Sequence, residues 1–108
     1  MFDLITEWST DRDCYLSVNQ YSVDGSLCLQ VVNDEDGLIC TLTVYLGEVP
    51  NNRAYLDTNN CYWAEKLIKD LGIGFFTGKR CISGYCIYPL YEFDMNKIKE
   101  YTRNEVNL

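Results

Sequence analysis

Histidine is absent from this 108-residue sequence. Without an imidazole base, neither Ser-His-Asp nor Cys-His catalysis is available. A zinc site would need four thiolates gathered from distant segments. Prolines number two, and no segment is low in complexity. No apolar run approaches the ~20 residues that cross a bilayer. The first residues, Met1 to Glu7, carry early acids and no basic n-region, so a signal peptide is not expected. A soluble, cytoplasmic protein is the expectation. Basic residues are scarce in the first half: residues 1–57 hold ten acids and only Arg12 and Arg53, a net of −8. Residues 58–108 hold six acids and seven bases, a net of +1. That shortage argues against direct nucleic-acid binding, which needs a basic face to displace phosphate counterions. Anionic membrane surfaces are excluded for the same reason.

What is present suits one domain spanning residues 1–108. A chain of this size buries roughly 65% of its unfolded surface. The 47% hydrophobic and 14% aromatic content supplies material for a core. Six cysteines do not form a recognisable framework. Cys14, Cys28 and Cys40 fall in apolar, strand-like stretches, where a thiol acts as a small hydrophobe. Cys61 lies at an expected helix start, and Cys81 and Cys86 flank a glycine turn. No pair has Cys-x-x-Cys spacing, so reduced thiols are expected.

Apolar periodicity predicts an antiparallel meander. Cys14, Leu16 and Val18 alternate on one face, and Asp24-Gly25 supplies hairpin chemistry before a strand at Leu27–Val32. Asn33 to Gly37 turns the chain into a third strand over Leu38–Leu46, with Leu38, Cys40, Leu42, Val44 and Leu46 inward and Thr41, Thr43 and Tyr45 outward. A short apolar piece at Ala54–Leu56 precedes Asp57 to Asn60, candidate N-caps for a helix over about Cys61–Leu71 that stops at Gly72. Residues 72–79 read as a glycine-punctuated loop. Strand character returns over Arg80–Phe93, with a hairpin tip at Gly84 and an edge or break at Pro89. Asp94 caps a short final helix with Met95, Ile98 and Tyr101 or Thr102 on one side, and residues 2–8 offer an N-terminal strand. The fold class is α+β: an antiparallel sheet covered on one face by one or two helices.

The motifs are mostly turns. Asn33-Asp34-Glu35-Asp36-Gly37 lacks the first-position oxygen ligand of a calcium loop, since Val32 stands there. Gly72 to Lys79 follows a helix, and Arg80 stands where a phosphate loop needs Ser or Thr. Nine tyrosines offer large, rigid, hydroxyl-bearing contact area.

The segments Leu42–Leu46, Ala54–Asn60, Gly72-Ile73, Thr77-Gly78, Ser83–Cys86 and Pro89–Tyr91 carry a family resemblance. Through them the chain resembles a small uncharacterised, domain-of-unknown-function family encoded on mobile elements and phages of Gram-positive bacteria. The resemblance implies a genomic setting in which small acidic proteins inhibit host defence nucleases, and it transfers no site residue.

The expected function is therefore a non-enzymatic inhibitor with no cofactor and no metal. It would bind a protein partner, a nuclease or other nucleic-acid-binding protein, by presenting carboxylates where phosphates would sit. Asp24, Asp34, Glu35 and Asp36 at hairpin tips are the expected contacts, with Tyr45 as an anchor. The alternative is a structural or accessory protein of a mobile element that forms a homo-oligomer.

Overall fold

The structure is a computed structural model describing residues 1–50 and 52–103. Among these residues, eight strands and two short helices follow in the order β1 (Phe2–Ile5), β2 (Thr10–Gln20), β3 (Leu27–Asn33), β4 (Gly37–Thr41), β5 (Thr43–Val44), β6 (Arg53–Leu56), α1 (Ala64–Leu71), β7 (Gly74–Ser83), β8 (Cys86–Phe93) and α2 (Met95–Lys99). The antiparallel α+β class is as expected. The strands, however, divide between two four-stranded sheets, β1-β2-β3-β4 and β5-β6-β8-β7.

The division happens at Leu42. Its N–H donates to the Leu29 carbonyl at 2.8 Å, on the first sheet, while its own carbonyl accepts from Asp57 N–H at 2.8 Å, beside the second. The expected single strand over Leu38–Leu46 is therefore two strands that belong to different sheets. Its inward set also changes. A register shift opposite Val31 and Val32 breaks the strict alternation and leaves Leu38 56% exposed, and beyond the crossing at Leu42 the chain buries Thr43, 3% exposed. Burying Thr43 is tolerated because its hydroxyl accepts from Leu29 N–H at 3.2 Å and bonds the Tyr21 hydroxyl at 3.0 Å.

One core joins both sheets and α1. Leu16, Leu29 and Val31 from the first sheet meet Leu56 and Phe93 from the second and Ile68 from α1. The helix buries Ala64, Leu67, Ile68 and Leu71, the stripe its spacing predicts, and ends on Gly72 in the left-handed region. It starts three residues later than expected. Asp57 instead binds Asn60, accepting from its backbone and side-chain nitrogens at 3.3 and 2.9 Å, and so closes a turn ahead of the helix. Asp94 does cap α2, accepting from Asn96 and Lys97 N–H at 3.0 and 3.2 Å.

The segment expected as a loop after Gly72 is largely β7. Its pairing with β8 contains a bulge between Phe76 and Arg80, where Gly78 takes φ +90°. Pro89 lies beyond the reach of β6, whose pairing with β8 runs only to Tyr55 opposite Leu90, so its missing N–H breaks no bond on that side.

Candidate functional site

The acidic residues picked out by the sequence stand at two opposite ends of the first sheet. Asp34, Glu35 and Asp36 form the β3–β4 turn; Asp24 sits in the β2–β3 turn. The seven residues of β3 separate them by about 20 Å at the usual strand rise. Tyr45 lies at the Asp24 end. The five residues therefore form two groups, with Asp24 and Tyr45 together and the Asp34 cluster apart.

The Asp34 end is partly neutralised. Asn33 locks the turn by accepting from Asp36 N–H at 2.7 Å. Arg103 then reaches Asp34 and also lies 3.6 Å from Asp13, while its guanidinium stacks 4.5 Å above the Tyr15 ring. Hydrogen bonding from Arg103 holds the Asp34 carboxyl below its ordinary pKa, aided by the Tyr15 hydroxyl at 3.3 Å. A cation from the second half of the chain thus absorbs charge that the first half contributes. Nearby, Asp3 pairs with Arg12 at 3.7 Å.

The Asp24 end differs. Here the turn is set by Gly25 at φ +75°, which only glycine adopts without strain, by Tyr21 N–H donating to Ser26 O at 2.9 Å, and by Asp24 accepting from Ser26 N–H at 2.9 Å. Tyr21 leaves β2 here, and its ring lies 5.6 Å from that of Tyr45, tilted by 53°. Its hydroxyl is anchored on Thr43, and burial pushes the phenol up to about 12. Tyr45 also titrates above its ordinary value, through loss of hydration and then the carboxylates of Asp24 and Glu48. Those two acids therefore share one electrostatic neighbourhood with the tyrosine pair. Among the described residues, neither Asp24 nor Glu48 has an ion-pair partner. A groove of about 390 Å³ opens alongside, bounded by Gln20, Asp24 to Leu27, Val49, Pro50, Asn52 and Met95.

This end combines two carboxylates without an ion-pair partner among the described residues, two tilted phenols in contact and an adjoining groove, a set suited to recognising cationic side chains. Glu48, Tyr21 and Thr43 were missed from the sequence. Tyr21 stands three residues before Asp24 of the Asp-Gly turn, and that spacing is the one local signal for it. Among the described residues, no group of three or more Cys, Asp or Glu is placed to hold a metal ion. No helix there is long and apolar enough to cross a membrane. No curated protein and no solved structure matches the chain. The DUF4313 family model, described as a domain of unknown function, matches residues 15–108, and the chain belongs to that family.

Proposed function

We propose that this protein is a small acidic inhibitor without enzymatic activity, and that it binds a basic, nucleic-acid-handling surface of a host defence protein of the restriction or CRISPR type. The observation that carries this reading is the Asp24 end: two carboxylates without ion partners among the described residues, beside the Tyr21–Tyr45 pair and a groove. Arginine or lysine side chains that ordinarily grip phosphate would meet Asp24 and Glu48 instead, and a guanidinium would lie on a tyrosine face. The net charge of −7 steers such a partner from a distance. The resemblance to families carried on mobile elements supplies the choice of host defence as the target class.

The test is DNA cleavage by a panel of purified restriction and CRISPR nucleases, with the protein added at increasing concentration. Inhibition is expected for at least one enzyme, weakening as salt rises. The Asp24→Lys/Glu48→Lys variant is expected to bind about tenfold or more weaker, since each tenfold corresponds to about 1.4 kcal/mol. Reversing Glu35 and Asp36 is expected to have the smaller effect. If no enzyme is inhibited, or the Asp24/Glu48 variant inhibits as well as the original protein, the reading fails.

A further inference from the structure

Beyond Leu90, β7 and β8 leave the second sheet and continue as a two-stranded ribbon, because β6 stops pairing there. A lone hairpin is marginal in water, and this one carries apolar groups that none of the described residues covers. Ile82 is 74% exposed, Ile87 56%, and Tyr85 at the tip is fully exposed. Ile82 and Ile87 lie directly opposite each other in the register. They share the strand face of Tyr91 and Phe93, the face that forms the core lower down. The core face of the sheet therefore runs on past its cover. Arg80, its guanidinium 4.5 Å above the Phe76 ring, marks where burial stops.

The edge of this ribbon is guarded, whereas its face is open. The bulge between Phe76 and Arg80, with Lys79 upon it, obstructs edge-to-edge strand pairing. Residues 71–91 contain Lys79 and Arg80 and no acid, while the rest of the chain has sixteen acids against seven bases. The ribbon is thus a basic, apolar arm on an acidic body, and its complement is another copy of that body. The matching surface lies around the β1–β2 turn. Ile5 is 71% exposed, Trp8 83% and Tyr62 53%, with Tyr62 tied to this turn by accepting from Glu7 N–H at 3.3 Å. A groove of about 170 Å³ between β1 and α1 adjoins them, lined by Ile5, Trp63 and Leu67 and carrying the paired charges of Lys66 and Asp70, while Glu7 at the turn has no ion partner among the described residues.

We infer that two copies of the chain exchange ribbons, Ile82, Tyr85 and Ile87 of each seating against Ile5, Trp8 and Tyr62 of the other, with Lys79 facing Glu7. Reciprocal exchange closes as a two-fold dimer rather than a filament. Burying both apolar sets drives association, and the opposite charges fix orientation. A nucleic-acid occupant fits poorly, because the acidic body would repel phosphate from an arm with two cations.

Sedimentation velocity over a wide range of protein concentrations tests this. The unmodified chain is expected to show a monomer–dimer equilibrium. Ile82→Ser/Ile87→Ser and, separately, Trp8→Ala are each expected to raise the dissociation constant at least tenfold. All three side chains are exposed, so circular dichroism should be unchanged and folding loss can be told apart. Lys79→Glu should weaken the dimer, whereas Asp24→Lys/Glu48→Lys should leave it intact, which separates this result from the inhibitor reading. A chain that stays monomeric at every concentration overturns the inference. So does a dimer indifferent to the ribbon variant, or one that responds to the ribbon but not to Trp8→Ala. Protection of the ribbon only when a basic nuclease is added also overturns it, and assigns the surface to that partner.

Discussion

Tyr91 is 8% exposed and donates its hydroxyl to Glu65 at 2.8 Å, joining β8 to α1. Burial, then the Glu65 carboxylate that needs its proton, pushes this phenol up to about 12 from an ordinary 10.0. Tyr21 is raised to about 12 as well, chiefly by burial. A raised pKa means that the folded state holds the proton more tightly than the unfolded chain. The associated stability is fully present below pH 10 and is lost as pH climbs through about 12. For Tyr91 this amounts to something on the order of 2 kcal/mol. Urea midpoints measured between neutral and strongly alkaline pH should fall across that window, and Tyr91→Phe should flatten the fall. An identical alkaline slope in Tyr91→Phe would contradict the assignment. Asp34 behaves in the opposite sense. Arg103 depresses its pKa, so the contact contributes above the ordinary carboxyl range and is lost as pH drops through the lowered value. None of this was visible in the sequence, because Asp34 and Arg103 are 69 residues apart and Tyr91 and Glu65 are 26 apart. Composition gives the charge of each half; only the fold determines which charges cancel.

Among the elements, the β7–β8 ladder constrains one residue tightly. At Gly74 an added Cβ would come within 2.7 Å of the Glu92 carbonyl oxygen and 3.0 Å of the Phe93 ring. The first of these is backbone and cannot swing aside. Gly74→Ala should therefore cost about 1–3 kcal/mol, the usual range for overpacking, read as a lowered urea midpoint. The same change at exposed Lys79 should be nearly silent. Element identity was legible where periodicity is local. The alternation of Cys14 and Leu16, the Asp24-Gly25 turn, the apolar stripe of α1 and the Asp94 cap all correspond to what stands in the structure. It was illegible where a long-range partner decides. Residues 38–46 alternate like one strand, yet Leu42 is claimed by Leu29 on one side and Asp57 on the other. Gly74 and Gly78 looked like loop punctuation, whereas one permits close approach of β8 and the other forms a bulge. The cap candidates Asp57 to Asn60 have side chains right for a helix start, but Asp57 is spent on its own turn.

At the level of the whole molecule, the two sheets share one core, and Leu42, fully buried, is the residue through which the chain passes between them. Leu42→Ala should cost about 2–5 kcal/mol, a large fraction of the total stability of a domain this size. Because the core is shared, both sheets should melt together. Trp63, packed against the core, should report by fluorescence the same midpoint that circular dichroism reports for the strands. Separate midpoints would show that the sheets unfold independently. The Met1 amine lies 3.7 Å from Asp13, and Arg103 approaches that same carboxylate. Asp13 stands near the start of β2, and Asp24 follows the end of that strand. A surface tether or fluorophore attached beside Met1 or Arg103 would thus occupy the same corner, and the paired tyrosines and their carboxylates would lie at the far end of the sheet, free to meet whatever is passed over them.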